Sequence, residues 1–594
     1  MLKLYDRPMP SKRTGALNNA FSYATKIDPE AIALFIAVHT KPGDTVLDPF
    51  GGSGSTGVAA KLCARPTPRM KELASEFGVR PVWGPRDAVI YELSPVGALA
   101  GRVMANPPDP QTFRRAANEM MTAVSDELSW MYQADSPEGN SGAIRHLIWS
   151  EVLVTTCCRR KVTFWDAAVR KSPLELAEVF CCPRCGTELN VADCPRAIKK
   201  AVDVDTGQVT RQRERRLAWV YGVSDGTNWS RAATRRDSLL LGKIERTPVD
   251  SAAPQDDIFW GDLHRSGYHA GISRFAHLYT PRNWRVMARL WSETLKYDGV
   301  LRDALQLLLL SYNASHSTIL TRVVVKHGLS NFVVSGAQSG VLYVSGLPLE
   351  KNILIGVTRK IKTFEEAFGL IHGGPEVVRV VNGSSTDLDL ARDSIDYVFT
   401  DPPFGNFIPY SEINQINEVW LGKLTDRDEE AIVSPAQGKG VNEYQQLMKT
   451  VFSEVARVLK PEGAATVVFH ASTAAVWEAL GQSLEDNGLG VVRSSVLDKV
   501  QVSFKQVVHD GGTRGDALFL LQHDKSTTHR RRTTAVTIAE VIAQARSEAE
   551  ELTPKRLYSR YVAACIERKT AVEHSAPEFY ALVRAAMATL GTNA

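Results

Sequence analysis

Two short runs of residues have the types and spacing that chemistry needs. LDPFGGSGSTG (residues 47–57) follows an apolar run and opens into the helical pattern VAAKLCA. Strand, glycine turn and helix N-terminus is the geometry that brings a ligand against main-chain amides. Gly52, Gly54 and Gly57 satisfy G-x-G-x-x-G, which dinucleotide sites share. Asp48 argues for a different ligand, because a carboxylate at the strand end suits a cationic amino group and repels a pyrophosphate. Pro49 and Phe50 precede the glycines, an arrangement not typical of nucleotide folds, and Phe50 is placed to touch an adenine or methionine moiety. A second apolar run, AVIYEL, contains Glu92 at its end, where an acid accepts hydrogen bonds from ribose hydroxyls. A tight turn alone would explain the glycines, but not the ordered series of strand, loop, helix, strand and terminal acid.

The second run is DYVFTDPPFGNF (residues 396–407), an apolar strand ending in Asp401-Pro402-Pro403-Phe404. Two prolines fix φ and remove two backbone donors, leaving carbonyl oxygens free to accept. An aromatic amine needs such acceptors, since its lone pair is delocalised into the ring. Hydrogen bonds from its N–H groups to the Asp401 carboxylate and the Pro402 carbonyl favour a pyramidal nitrogen that attacks in line. Phe404 would stack on the ring. A base in a duplex offers its amine only after being flipped out. By itself the tetrapeptide is equally a proline turn. Beside a loop for an adenosyl and methionine ligand, it reads as methyl transfer from S-adenosylmethionine to an exocyclic amine.

Elements must position these runs. Residues 28–39 read as an amphipathic helix with Pro29 in its first turn. Prolines 66, 68, 81 and 85 bracket a short helical insertion between the first two strands. Candidate strands follow at residues 377–381, 395–400, 465–470, 490–496 and 517–522, with a helix at 448–459 stopped by Pro461. The reading is α/β: one doubly wound sheet built from both ends of the chain, the first block supplying two strands and the last block five. The domains expected are 1–104, the cofactor-binding half; 105–256, a recognition insertion with cysteines; 257–375, a mixed helical and strand region; 376–524, the catalytic half; and 525–594, a basic linker and helical tail. Helices are expected at 283–296 and 301–310.

The chain has 594 residues, 44% hydrophobic and 23% charged, which is a globular composition. No apolar run is long enough to cross a bilayer, and the N-terminus lacks the apolar core of a signal peptide, so a cytoplasmic protein without a membrane partner is expected. Net charge is only +4. Arginine clusters at Arg211, Arg213, Arg215 and Arg216, at Arg235 and Arg236, and at residues 530–532 are interleaved in part with Trp219, Tyr221 and Trp229, as phosphate-contacting surfaces are. Solvated faces are the bland alternative. The tail could pack on the core, bind DNA or dimerise.

DPFGGSGSTG and TDPPFGNFIPYSEI resemble motifs I and IV of the amino-group (N6-adenine and N4-cytosine) DNA methyltransferases. The match is closest to adenine-specific methylases that carry a zinc ribbon. GISRFAHLYTPRNWRVMARLW (271–291), VLYVSGLPLEKN (341–352), EVARVLKPEG (454–463) and QVSFKQVVHDGGTRGDALFLL (501–521) are similar to further parts of that family. The resemblance implies a class I S-adenosylmethionine-dependent methyltransferase, a Rossmann-like sheet split by a long insertion with a zinc-ribbon-like segment, plus a helical C-terminal tail. Lys26, Asp48, Pro49, Phe50, Gly52, Gly54 and Glu92 would hold S-adenosylmethionine. Lys26 belongs to FSYATK, which is similar to the segment that closes over the methionine end. Asp401, Pro402, Pro403 and Phe404 would be catalytic, with Phe where Tyr is commoner. The partner would be double-stranded DNA, with adenine N6 as target, in restriction-modification or phage defence beside a restriction or defence subunit.

Six of the eight cysteines fall in one segment. Cys182-x-x-Cys185 followed by glycine is half of a zinc ribbon. The other half would be the adjacent Cys157 and Cys158, an awkward pair for one ion, with Cys194 as another candidate ligand. Zinc here would be structural; a ribbon that has lost its metal is the alternative. Other readings of the whole remain: a cytosine-N4 enzyme, an RNA or protein-amide methyltransferase, a catalytically inactive DNA-binding defence subunit, or a dinucleotide-dependent oxidoreductase, which leaves DPPF unexplained.

Overall fold

The computed structural model describes residues 2–12, 14–203, 206–318, 321, 323–326, 332–334, 342–499, 515–524, 535–547 and 552–589. The similarity noted at 501–521 therefore lies largely outside the described residues, as does the 530–532 arginine run. The chain divides into two units. One comprises residues 1–107, 370–411 and 425–594; the other comprises 108–369 and 412–424.

The first unit is built on eight strands: β1 (Met9–Ser11), β2 (Thr45–Asp48), β3 (Asp87–Glu92), β4 (Val378–Asn382), β5 (Ile395–Thr400), β6 (Leu459–Phe469), β7 (Leu489–Lys499) and β8 (Asp516–His523). Their spatial order is β1-β7-β8-β6-β5-β2-β3-β4. Neighbours from β4 through to β6 run parallel, and β8 is antiparallel to both β6 and β7. The parallel strands are apolar runs because helices bury both faces. The sheet is mixed α/β, and its order reverses between β2 and β5, the switch point where open sheets bind ligands.

Helix starts follow local chemistry. Asp28 caps Pro29–His39 by accepting from Glu30 N at 3.1 Å, and Ser94 caps Pro95–Ala105 from Gly97 N at 3.3 Å. The first block supplies three strands rather than two: β1 is a three-residue edge strand, too short to carry an alternation, and pairs parallel with β7. The helix expected at 448–459 runs Val441–Val458, and Pro461 lies inside β6. The proline is tolerated there because the β5–β6 register slips between Leu459 and Ala464, a bulge that spares it a ladder bond. The tail helices Ile538–Ser547, Pro554–Glu567 and Ala576–Thr589 pack on the sheet: Leu557, Tyr561, Val562 and Phe579 join one core with Trp477, Phe519 and Leu521. The tail is thus part of this unit rather than a separate domain.

The second unit holds the helices Pro110–Leu128, Pro281–Thr294 and Gly299–His316 and an antiparallel sheet. Its long strand, Ser141–Val154, pairs with the Arg-rich strand Arg215–Ser224 on one side and with Leu349–Lys351 on the other. Segments 105–256 and 257–375 therefore share one sheet and one unit instead of two domains. The boundary was invisible in sequence because Leu349–Lys351 is only three residues long.

Candidate active site

The ends of β2, β3, β4 and β5 converge on one cleft within the first unit. Lys26, Asp48, Pro49, Phe50, Gly52, Glu92, Asp401 and Pro403 line it; Gly54, Pro402 and Phe404 do not. The glycine loop is tied to β3. Gly51 N donates to Tyr91 O at 2.8 Å, and Gly52 N to Glu92 Oε2 at 2.6 Å. Glu92 Oε1 accepts from Ser94 N at 2.9 Å, so this acid clamps the loop it shares the cleft with. Gly54 has φ +78°, and a Cβ there would stand 2.5 Å from Gly101 Cα. It lets Ser55–Ala64 pack closely on Pro95–Ala105.

Asp48 is buried, and both its oxygens are engaged. Phe50 N and Thr400 Oγ1 donate to Oδ1 at 3.1 and 2.8 Å, and Thr56 Oγ1 to Oδ2 at 2.6 Å. Burial pushes its carboxyl up to about 6, against these hydrogen bonds, which favour the ionised form. Relative to an unfolded Asp, the folded chain holds this proton more tightly. The stabilisation from that proton is full below the ordinary carboxylate range and is lost as pH rises through about 6. Asp48→Asn should therefore raise the unfolding free energy at pH 8, by up to about 3 kcal/mol, and not at pH 4. Thermal unfolding at both pH values checks this; an equal effect at both would show the carboxyl is not held up by burial.

The ionisable lining decides between ligand types. Lys26 and five acids, Asp48, Glu92, Asp401, Glu429 and Glu430, line the cleft. That set fits a cationic ligand with hydroxyls and opposes a pyrophosphate, so the donor set fits S-adenosylmethionine better than a dinucleotide. The Lys26 ammonium is turned to main-chain oxygens, donating to Leu17 O at 2.9 Å and Phe21 O at 3.3 Å. It fastens the turn after Ala16–Ala20 and so holds Tyr23 and Thr25 at the cleft. Tyr23 stacks on Tyr410 at 6.1 Å, and Thr25 Oγ1 lies 3.1 Å from the Tyr410 hydroxyl.

The Pro-Pro turn is rigid in its setting. Tyr444, a fully buried phenol, donates to Pro403 O at 2.7 Å. Phe404 is packed edge-on against Phe469 at 5.7 Å and against His470 at 5.6 Å. The stacking ring expected from the tetrapeptide is thus in the core; the aromatic rings at the cleft are Phe50, Tyr23, Phe399 and Tyr410.

Sequence reasoning missed one wall. β4 ends at Asn382, and Gly383-Ser384-Ser385-Thr386 follows. Asn382 Nδ2 donates to Glu92 O and Leu93 O at 3.0 and 2.9 Å, and Ser384 Oγ donates to Glu429 Oε2 at 2.8 Å. A third strand end followed by a polar loop was the available signal.

In the second unit, the sulfurs of Cys157, Cys158, Cys182 and Cys185 lie within 4.8 Å of one another, and Cys194 stands outside the group. Cys158 Sγ is 3.5 Å from Cys182 Sγ and Cys157 Sγ is 3.3 Å from Cys185 Sγ. Adjacent cysteines manage this because the chain turns back on itself: Arg159 has φ +57°, and Thr155 N donates to Arg160 O at 2.9 Å. Main-chain N–H groups of Arg184 and Cys185 hold the Cys182 thiol down at about 6.

The arginine clusters divide. Arg211, Arg216, Arg235 and Arg236 are exposed, while Arg213 and Arg215 turn inward onto Glu151. The aromatic partners are also engaged within the unit: Trp219 stacks on Trp165 at 5.6 Å, Tyr221 on His146 at 4.3 Å, and Arg231 sits over Trp229 at 5.5 Å. They are not the free stacking platforms the interleaving suggested. Among the described residues, no helix is long and apolar enough to cross a membrane.

Residues 6–67 match the family described as DNA methylase (N6_N4_Mtase). Two solved structures are similar. One is geranyl diphosphate C-methyltransferase from Streptomyces coelicolor A3(2), in complex with Mg2+, geranyl diphosphate and S-adenosyl-L-homocysteine, with 10% identity over 29% of this chain and 59% of that one and a TM-score of 0.14. The other is PH0851, with 11% identity over 34% and 54% and a TM-score of 0.15. The chain spans under two thirds of the length of either. No curated protein matches it.

Proposed function

We propose that this chain transfers a methyl group from S-adenosylmethionine to the exocyclic amine of a flipped base in double-stranded DNA, with adenine N6 as the target, on a class I methyltransferase sheet. The observation that carries the reading is the meeting of Asp48, Glu92 and Asp401 at one switch-point cleft, from segments far apart in the chain. S-adenosylmethionine supplies an electrophilic methyl on a sulfonium. The chain's residues do the rest. Asp48 faces the ammonium, and Glu92 accepts from the ribose hydroxyls. Asp401 accepts from the amine, turning its lone pair toward the methyl. Tyr444 and Phe404 hold the turn, and base stacking falls to the aromatic rings at the cleft. The acid that opens the tetrapeptide favours adenine over cytosine.

Incubation with labelled S-adenosylmethionine and unmethylated genomic DNA, followed by nucleoside analysis, tests this. N6-methyladenine is the expected product. N4-methylcytosine would keep the chemistry and overturn the base; unlabelled DNA from a chain that binds the cofactor would overturn the reading.

The four clustered cysteines are assigned to structural zinc. Tetrahedral Zn–S bonds of about 2.3 Å put sulfurs about 3.8 Å apart, a spacing the cluster brackets. Elemental analysis should find bound zinc in the purified chain, and Cys182→Ser should lose it; zinc retained in full would exclude this ligand set. A restriction or defence partner is the biological setting this activity fits.

A further inference from the structure

A second cavity lies wholly within residues 108–369 and carries charge of the opposite kind. Its walls include Arg213, Arg215, His277, Trp149, Trp284 and the start of the helix Pro281–Thr294 at Thr280. Glu151, itself buried, is shared by three guanidinium groups: Arg196 at 3.3 Å, Arg215 at 3.0 Å and Arg213. One carboxylate cannot neutralise three arginines, so the cluster keeps an excess of positive charge away from water. Asp203, the other buried acid here, is taken by Arg274 at 2.7 Å, and Glu245 stands on the exposed rim.

The hydrogen bonds leave a defined remainder. Arg213 spends Nε on Ala270 O at 3.1 Å and Nη1 on Glu151; Arg215 spends Nε on Glu151 and Nη1 on Thr318 Oγ1 at 3.3 Å. The Nη2 atoms of both are buried without a partner among the described residues. His277 Nδ1 accepts from Ser273 N at 3.3 Å and Arg274 N at 3.4 Å, which puts its proton on Nε2. That Nε2 is buried and lies 3.7 Å from Asp203 Oδ2, beyond a hydrogen bond. The side chains of Arg213 and His277 are 2% and 8% exposed. Three buried donors on the wall of one cavity, beside a helix N-terminus, are a costly arrangement unless an acceptor occupies it.

We propose that this cavity binds a phosphate oxyanion, held by Arg213 Nη2, Arg215 Nη2 and His277 Nε2. A phosphate offers three or more acceptor oxygens, neutralises the excess charge and needs no donor of its own. The group comes either from a nucleic-acid backbone or from a free mononucleotide; the chemistry of the site is the same. It does not depend on the methyl-transfer reading, which rests on the other unit.

The test is equilibrium dialysis of the full chain with radiolabelled inorganic phosphate. Saturable uptake is expected in the wild type, weakened at least about tenfold in Arg213→Gln. Glu151 keeps Arg196 and Arg215 in that variant, so the buried acid stays paired. His277→Asn is the second variant: its side-chain oxygen can still accept from the backbone where Nδ1 does, while the Nε2 donor is gone, and a similar loss is expected. Displacement of phosphate by a short DNA duplex identifies the backbone as the source, and displacement only by thymidine 5′-monophosphate identifies a free nucleotide. Absence of saturable uptake, or uptake unchanged in both variants, overturns the site.

Discussion

Asp401→Ala is expected to lower methyl transfer by about a thousandfold while leaving S-adenosylmethionine binding within a few-fold of the wild type. The reason lies in what Asp401 touches. The acids proposed to hold the cofactor are Asp48 and Glu92, at the ends of β2 and β3, whereas Asp401 follows β5 and begins the Pro-Pro turn. Its loss removes an acceptor for the amine and leaves the glycine loop tied to Tyr91 and Glu92. Asp401→Asn should retain part of the rate, since an amide oxygen still accepts. Single-turnover kinetics and calorimetric cofactor binding on the same variants check this. Equal loss of both would make Asp401 a structural residue.

Glu92→Ala acts in the opposite sense, and its effect on cofactor affinity should be about 10- to 100-fold. Two losses add. The ribose hydroxyls lose a charged acceptor, and Gly52 N and Ser94 N lose theirs, so the loop slackens. Glu92→Gln separates these, because one amide oxygen can still serve a backbone N–H. An intermediate affinity for Gln, with turnover near wild type at saturating cofactor, is the expected result. Reduced turnover with unchanged affinity would remove Glu92 from the cofactor site.

What the sequence made legible follows from how local the signal was. β5 was readable because the apolar run Tyr397–Phe399 leads, two residues on, into a proline pair, and the helix Pro29–His39 because Asp28 and Pro29 mark its start. The four cysteines were found as residue types, yet their meeting depends on a single left-handed residue, Arg159, which no propensity marks. Phe404 was read from a stacking role, but a ring beside Phe469 and His470 gains more from burial than from waiting at the cleft. Tyr23 and Tyr410 share the cleft only through tertiary contact, and nothing in either neighbourhood signals the other. Arg213 ends the strand Val209–Arg213 and Arg215 opens the strand Arg215–Ser224, and both turn inward onto Glu151, the cross-strand partner of Arg215, which the sequence around either arginine does not mark.

The sheet that pairs β2 with β5 joins residues 45–48 to residues 395–400. On the ribosome, at about 5–20 residues per second, β2 waits roughly 20–70 s for β5. In that interval the edge of β2 that takes β5 has no strand to pair with. The inserted unit lacks only residues 412–424 and reaches its own core sooner. Folding should therefore proceed from the middle of the chain outward. Overproduction in cells should stall at an intermediate whose N-terminal strands need a holding chaperone, and slower growth temperature should raise the soluble yield.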